Sequence, residues 1–231
     1  MRRAGSYLAF LISLCCAASA QQHPDISGFW EVHYDSRNVP PAALTADTAA
    51  RSAEIVQHDQ EAIRWCINLG VPFMMDDAYP IDIRQSPTVI GMVARAPSSV
   101  RYIYTEGRTH PAKEDYDPTT NGNSIGHWEG DTLVVDTIEF NDRGAVAIPG
   151  GGMRTPNSHL VERYRLLNGG QQLAVTFTWE DSSVFIHPHS YEFRYYRTSG
   201  VTGPRVLGCN VNDKERAKFL TELPLSAEGR Q

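Results

Sequence analysis

The segment from Ile125 to Phe140 constrains the fold of this chain more than any other stretch. It consists of two strand-like runs joined by the step Gly130-Asp131, which is a strong local signal for a β-hairpin. A turn of that length places Glu129 opposite Thr132 and thereby sets the register of the residues behind it. This register predicts an apolar face and a polar face. The apolar face carries Trp128, Leu133, Val135 and Thr137, and the polar face carries His127, Glu129, Thr132 and Asp136.

The predicted architecture rests on further strand-like runs along the chain. Turn residues separate most of these runs, and no regular alternation with helices occurs, which favours an antiparallel meander. Because closing a meander removes its exposed edges, we predict an all-β, lipocalin-like β-barrel. Gly28-Phe29-Trp30 is the G-x-W arrangement that begins many such barrels. The runs are Ile26–Tyr34, Ile81–Gln85, Thr88–Arg95, Val100–Thr105, Ile125–Glu129, Thr132–Phe140, His159–Leu167, Leu173–Trp179 and Ser190–Arg197.

Two helices and three long loops complete the predicted domain. Thr45 can cap a helix over Thr45–Trp65, which Gly70-Val71-Pro72 ends, and a short helix over Asp213–Leu220 closes the chain. Long loops in a compact barrel often build a mouth or a lid. The three loops that are longer than a meander needs are Gly107–Ser124, Asn141–Ser158 and Asp181–His189.

The first residues have the pattern of a secretory signal peptide. Arg2 and Arg3 precede an apolar run from Tyr7 to Leu14, and Ala18-Ser19-Ala20 has the small residues of a cleavage site. We therefore expect cleavage after Ala20, a single domain over residues 21–231, and a periplasmic or secreted protein. The apolar run is too short to span a bilayer comfortably, and no later segment predicts an integral membrane span.

Charge and cysteine content narrow the partners further. The chain carries 21 Lys and Arg against 27 Asp and Glu, without a basic stripe, so binding to nucleic acid or to anionic membranes is not expected. Cleavage would leave Cys66 and Cys209, which in an exported protein most simply form one disulfide. Metal binding by these two cysteines is the alternative.

Three sequence blocks together resemble a large family of exported bacterial β-barrel proteins, most of them of unassigned function. The blocks are Arg101–Pro111, Ser124–Val135 and His159–Tyr164. Glu106 stands where that pattern has an aspartate. The resemblance implies a barrel fold and an exported location. More loosely, the chain is similar to cofactor-independent lyases and decarboxylases that degrade lignin-derived aromatic compounds.

The candidate catalytic and anion-binding residues lie in two groups. Tyr104, Arg108 and His110 follow one another after a predicted strand, where they could hold a carboxylate and move a proton, although Arg108 could instead pair with a nearby carboxylate. His159 and Arg163 share one face of a later strand and suit an anionic substrate or a cross-strand ion pair. The sequence does not decide which face of that strand points inward.

Aromatic residues and histidines offer further candidates. Trp128 and Trp179 could line a pocket for a flat ligand, and their alternative role is core packing. His187-Pro188-His189 could ligate a metal, but no third ligand follows and no metal or phosphate-binding signature is present. We therefore expect no metal and no cofactor.

These observations predict a cofactor-free lyase that acts on a small aromatic or phenolic acid, or on a lignin-derived dimer. Arg108 or Arg163 would anchor an anionic group, Trp128 and Trp179 would contact the ring, and Tyr104, His110 or His159 would move a proton. The alternatives are a lipocalin-like carrier without turnover and a structural protein of the cell envelope. The partner would be a small aromatic molecule, and the oligomeric state, including a homodimer, is left open.

Overall fold

In the computed structural model, which describes residues 23–76, 79–94, 99–115, 117–142, 146–200 and 214, the chain forms a closed β-barrel. Nine strands of the described part of the chain pair in the order β1-β11-β10-β9-β6-β5-β4-β3-β2, and β1 also pairs with β2. The barrel strands are β1 Gly28–Val32, β2 Ile81–Gln85, β3 Val89–Ala94, β4 Ser99–Tyr104, β5 Asn123–Glu129, β6 Thr132–Ile138, β9 His159–Leu167, β10 Gln172–Glu180 and β11 His189–Arg197. Two short strands, β7 Val146–Ala147 and β8 Met153–Arg154, form a separate sheet.

The predicted all-β barrel is confirmed, and so is the register of its central hairpin. Glu129 pairs with Thr132, Trp128 with Leu133 and His127 with Val134. Gly130 has φ 60°, which suits the first central position of a type II′ turn. Leu133, Val135 and Thr137 are buried, whereas His127 and Glu129 are exposed, so the two faces are divided as predicted.

One pair of barrel strands departs from the predicted antiparallel meander. β4 and β5 run parallel, with Ile103 opposite Ser124 and Tyr104 opposite Ile125. The long loop that begins at Gly107 carries the chain back to the end of the barrel where β4 began, so β5 starts in the same direction. The loop 141–158 also contains the short β7–β8 hairpin, which the strand pattern did not predict.

The predicted helix over Thr45–Trp65 is divided into α1 Ala46–Ala50 and α2 Ser52–Arg64. The Thr45 side chain caps α1 as predicted, accepting a hydrogen bond from the Thr48 amide at 3.4 Å. At the break, the Ser52 hydroxyl donates to the Thr48 carbonyl at 3.2 Å, a back-bonding contact that often bends helices. Short 3₁₀ turns lie at Tyr34–Ser36, Phe73–Met75, Lys113–Asp115 and Asn168–Gly170.

Several predictions fall on parts of the chain that lie outside the described residues. These are the signal peptide over residues 1–20, Cys209, and the helix over Asp213–Leu220 except for Lys214. Cys66 is disulfide-bonded. Among the described residues, no helix combines the length and the apolar character needed to cross a membrane.

The G-x-W segment closes one side of the barrel around a buried tryptophan. Trp30 is fully buried, and its indole N–H donates to the Ile26 carbonyl at 2.9 Å. The guanidinium of Arg197 lies 4.3 Å above the Trp30 ring. Gly28 has φ 151°, a conformation that residues with a side chain rarely adopt, and a Cβ atom there would also displace the Arg197 guanidinium, whose Nη1 would lie 2.4 Å away.

Candidate functional site

The centre of the barrel is filled by a buried ion pair. Arg101 on β4 and Glu162 on β9 are 2% and 0% exposed. Arg101 Nη1 donates to Glu162 Oε1 at 2.9 Å, and Arg101 Nη2 donates to Glu162 Oε2. The hydroxyls of Ser124 and Thr137 accept from Arg101 Nε and Nη2 at 3.1 and 2.9 Å, and the Tyr164 hydroxyl donates to Glu162 Oε1 at 2.7 Å.

This buried network is suited to holding the barrel together. Desolvation opposes the charge on Arg101, but the Glu162 carboxylate more than offsets it and raises the pKa of the guanidinium. Burial raises the pKa of Tyr164 well above its usual value, so this phenol stays protonated. Because every member has a partner inside the network, none is left to meet a ligand.

A second polar group, which we call the histidine–aspartate cluster, lies on the outer face of the barrel. It joins residues from the loop after β4 and from strands β5, β6, β9 and β10. Asp136 is at its centre, with Oδ1 lying 2.8 Å from His110 Nε2 and Oδ2 lying 2.7 Å from His159 Nε2. His110 Nδ1 is 2.7 Å from Asn123 Oδ1, and His159 Nδ1 is 3.2 Å from Glu180 Oε2.

The cluster favours a protonated His159. A neutral imidazole has only one N–H, whereas both ring nitrogens of His159 face carboxylate oxygens. The hydrogen bond to Asp136 is the main cause that raises the pKa of His159 to about 9. The hydrogen bond from His159 is likewise the main cause that lowers the pKa of Asp136. At neutral pH, His159 is therefore a cation whose two N–H groups face the carboxylates of Asp136 and Glu180.

The structure brings together two of the three predicted catalytic residues. His110 and His159 share Asp136, whereas Tyr104 lies under the guanidinium of Arg108, whose Cζ is 3.8 Å from the Tyr104 ring centroid. Arg108 Nε donates to Glu106 Oε1 at 2.5 Å, the local carboxylate pairing left open by the sequence. Among the described residues, no hydrogen bond or ion pair joins Tyr104 or Arg108 to the cluster.

The other predicted anion-binding residue, Arg163, forms a cross-strand ion pair. Its Nη2 lies 2.6 Å from Glu129 Oε2 on the exposed outer face. His127 Nε2 is 3.2 Å from the other oxygen of the same carboxylate. The hydrogen bond from Arg163 is the main cause that lowers the pKa of Glu129. Arg163 is therefore already paired in this structure.

A cavity of about 470 Å³, which we call the mouth cavity, lies at one end of the barrel. The N-terminal segment, the β2–β3 turn and the ends of β4 and β5 meet there. Its lining residues are His23, Asp25, Gln85, Ser86, Pro87, Ile90, Thr105 and Trp128. Trp128 lies flat against His23, with ring centroids 4.9 Å apart and planes inclined by 5°.

The two tryptophans predicted to contact a ligand have different positions. Trp128 lines the mouth cavity and is partly exposed. Trp179 is fully buried in the core, where its indole N–H donates to the Tyr191 hydroxyl at 3.2 Å. Of these two tryptophans, Trp128 is therefore the one whose ring lines the mouth cavity.

Compared with known protein families and with curated proteins, the chain matches none.

The polar groups of the mouth cavity are mostly engaged by the backbone. Gln85 accepts from the Ile26 amide at 3.1 Å and donates to the Pro24 carbonyl at 3.2 Å. Asp25 Oδ1 accepts from the Ser27 amide at 2.9 Å, and hydrogen bonds from Ser27 are the main cause that lowers the pKa of Asp25. Asp25 is thus a carboxylate at the rim, and it can accept a hydrogen bond from a ligand.

The strand patterns in the sequence do not indicate the mouth cavity or the buried pair. His23 and Asp25 precede the first strand, so no strand pattern marked them. Glu162 shares one strand face with Leu160 and Tyr164, whose size favours an inward orientation, so this pattern could have indicated a buried carboxylate that needs a cation. No group of three or more His, Cys, Asp or Glu side chains that could hold a metal ion occurs within the described part of the chain.

Proposed function

We propose that this protein binds a small, flat phenolic molecule in the mouth cavity. The observation that carries the proposal is the stacked pair of Trp128 and His23 on the wall of a cavity of about 470 Å³. That volume lies within the range of about 300–1,000 Å³ that is typical of small-molecule sites. The barrel centre holds the Arg101–Glu162 pair, so the ligand would occupy the end of the barrel.

The charge at the rim favours a phenol over a carboxylic acid in this cavity. A ligand carboxylate would meet the ionised Asp25, whereas a phenolic hydroxyl could donate a hydrogen bond to it. The indole of Trp128 offers a flat apolar surface to an aromatic ring, and such ring contacts contribute about 0.5–1.5 kcal/mol beyond the area they bury. The proposed ligand is therefore an uncharged aromatic alcohol or phenol, carried by an exported protein.

Ligand titration of the purified, oxidised protein tests this proposal. A panel of phenols and phenolic acids would be added while tryptophan fluorescence and the midpoint of thermal unfolding are followed. We expect a neutral phenol to bind and to raise the midpoint, and Trp128→Ala to weaken binding by about ten-fold, equivalent to about 1.4 kcal/mol. Tyr102→Ala, which removes an exposed aromatic on β4, is the matched control and should bind normally. Unchanged affinity in Trp128→Ala would contradict the proposal.

A cofactor-free lyase remains a second candidate because of the histidine–aspartate cluster. Two imidazoles on one carboxylate are suited to proton transfer at a bound substrate. In the decarboxylation of a phenolic acid whose side chain has a C=C bond conjugated with the ring, His110 would accept the phenolic proton, and His159 would protonate the side-chain carbon that bears the carboxylate, giving a quinone methide. The bond from that carbon to the carboxylate would then break with loss of carbon dioxide, and its electron pair would restore the aromatic ring as an alkenyl phenolate. The phenolate would take back the proton from His110, and His159 would regain its proton from water. The proposed substrate class is a small phenolic acid or a lignin-derived dimer.

Incubation without added cofactor tests this second candidate. Mass spectrometry of the products would show a loss of carbon dioxide, water or formaldehyde if the protein acts as a lyase. His159→Gln should abolish turnover without affecting binding in the mouth cavity, whereas His187→Gln, at an exposed histidine outside the cluster, should leave turnover unchanged. Equal product formation by the His159→Gln variant would exclude the cluster as the catalytic site.

A further inference from the structure

The end of the barrel opposite the mouth cavity is built from three segments without charged side chains. They are the segment 38–45 after β1, the β7–β8 hairpin over 146–153, and the link 182–188 between β10 and β11. None of the three contains Asp, Glu, Lys or Arg, although these residue types make up 21% of the chain. We call this surface the uncharged end face. Because exposed loops normally carry charged side chains, three uncharged segments in one place indicate a contact surface.

Backbone hydrogen bonds join the three segments into one surface. The strands β1, β6 and β10 run in the same direction, so the segments that follow them meet at one end of the barrel. The Ala42 amide donates to the Gly150 carbonyl at 2.9 Å, and the Ile186 amide donates to the Ala43 carbonyl at 2.8 Å. The segment 38–45 therefore contacts both of the others, and the face is held as a unit.

The backbone of this face needs few hydrogen bonds from outside the protein. Within the hairpin, the Ile148 amide donates to the Gly152 carbonyl at 3.1 Å. Four further residues are prolines and have no N–H group to satisfy, namely Pro40, Pro41, Pro149 and Pro188. Lipid supplies no hydrogen-bond partner, so backbone that lies against lipid must be satisfied within the protein. A protein partner could exchange hydrogen bonds with the face, so this property favours lipid over a protein.

The most exposed large apolar side chain in the described part of the chain lies on this face. It belongs to Ile186, which is 70% exposed. His187 and Pro188 after it are exposed as well, whereas Val184 and Phe185 before it are buried and fix the segment to the core. A single exposed isoleucine is ordinary on a protein surface, but this one lies on a surface whose three segments carry no charge.

We propose that the uncharged end face docks on a lipid bilayer with zwitterionic headgroups. Ile186 would enter the boundary between headgroups and acyl chains, and the neighbouring prolines would lie at the level of the headgroups. The face offers no Lys or Arg to anionic lipids, and the chain has a net charge of −6, so zwitterionic lipid suits it better than an anionic surface. Docking in this way leaves the mouth cavity, at the other end of the barrel, open to water. The proposal does not depend on what the cavity binds.

Flotation of the full-length protein with phosphatidylcholine vesicles tests this proposal. We expect the protein to float with the vesicles, and we expect both Ile186→Asp and Ile186→Lys to weaken binding by at least about ten-fold, because either charge is costly in the apolar boundary. Tyr102→Asp introduces a charge at another exposed position, on the barrel wall, and should bind like the wild type. All variants keep the same N-terminal residues, so the apolar run at 7–14 contributes equally to each.

Two further measurements separate lipid docking from the alternatives. Vesicles that contain phosphatidylglycerol should bind the protein no more tightly than phosphatidylcholine alone, and added salt should have little effect. Failure of the wild type to float, or equal flotation of the wild type and Ile186→Asp, would overturn the proposal. Sedimentation equilibrium without lipid is the second measurement. If the wild type self-associates and Ile186→Asp does not, the face instead joins two copies of the chain and the proposal is overturned.

Discussion

The buried pair of Arg101 and Glu162 shows how a charged side chain can belong to a barrel core. Removing either partner leaves the other charge without compensation in a desolvated site, which is costly, whereas an exposed pair contributes little. The hydroxyls of Ser124, Thr137 and Tyr164 complete the network, so each partner depends on several strands at once. Substitutions at this pair should therefore affect the stability of the whole barrel.

We predict that Glu162→Gln lowers the free energy of unfolding by about 3–5 kcal/mol, because the Arg101 charge stays buried without its counter-charge. Denaturant unfolding followed by circular dichroism would measure the change. Glu129→Gln removes the carboxylate of the exposed pair with Arg163 and is the matched control, for which little change is expected. A similar decrease in the free energy of unfolding of both variants would show that burial is not what makes the Arg101–Glu162 pair important for stability.

His159 should make the stability of the protein depend on pH. Its pKa is raised from about 6.5 to about 9 in the folded state, so its contribution is fully present below about pH 6.5 and is lost as the pH rises through about 9. The pKa of Asp136 is lowered, so its contribution is present above the usual carboxyl pKa and is lost as the pH falls. The pair therefore stabilises the protein most between these two limits.

To test this pH dependence, the free energy of unfolding of the wild type is compared with that of Asp136→Asn from acidic pH to above about pH 9. We expect the stability difference to be largest near neutral pH and to shrink above about pH 9. A nuclear magnetic resonance titration of His159 gives an independent measurement. A titration midpoint of His159 in the wild type close to the ordinary histidine pKa would show that Asp136 does not stabilise the protonated form of His159.

At the scale of elements, the hairpin between β5 and β6 depends on its turn. Gly130 has φ 60°, a conformation that costs other residues about 1–2 kcal/mol. We predict that Gly130→Ala lowers the free energy of unfolding by about that amount. Gly91 on β3 provides the control, because a Cβ there would meet the Tyr102 ring at an ordinary distance of 3.8 Å. Equal destabilisation of the two variants would show that the turn conformation is not the cause.

Local patterns predicted the strands well because alternation and turn residues act over short distances. The run His159–Leu167 and the run Ile81–Gln85 have the observed limits, and the Gly130-Asp131 turn set the hairpin register. The parallel pairing of β4 with β5 was missed because it depends on the path of a long loop. The β7–β8 hairpin was missed because two residues per strand are too few to show alternation.

The candidate sites were less predictable than the strands. His110 and His159 are residue types suited to proton transfer, but their meeting on Asp136 depends on two strands and a loop. Arg101 belongs to one of the three sequence blocks, but nothing in its neighbouring residues indicates that its side chain points inward. His23 could not be assigned to the mouth cavity, since only the closed barrel brings it to Trp128.

At the scale of the whole molecule, a disulfide at Cys66 should raise the stability of the folded chain. Such bonds typically contribute about 2–5 kcal/mol in exported domains. We predict that adding a reductant lowers the midpoint of thermal unfolding, and that Cys66→Ser lowers it without a further response to reductant. A non-reduced peptide map would identify the partner, for which Cys209 is the prediction. An unchanged midpoint after complete reduction would contradict this contribution.

The filled centre of the barrel has a consequence for how fast the mouth cavity can exchange its contents. Thr105, which directly follows β4, lines the cavity. The next inward side chain, on β4 itself, is the fully buried Ile103, and Arg101 follows below it. A molecule in the cavity therefore meets a solid floor and must leave by the way it arrived. A second ligand can bind only after the first has dissociated. The rate of ligand exchange should therefore not depend on the concentration of the competing ligand.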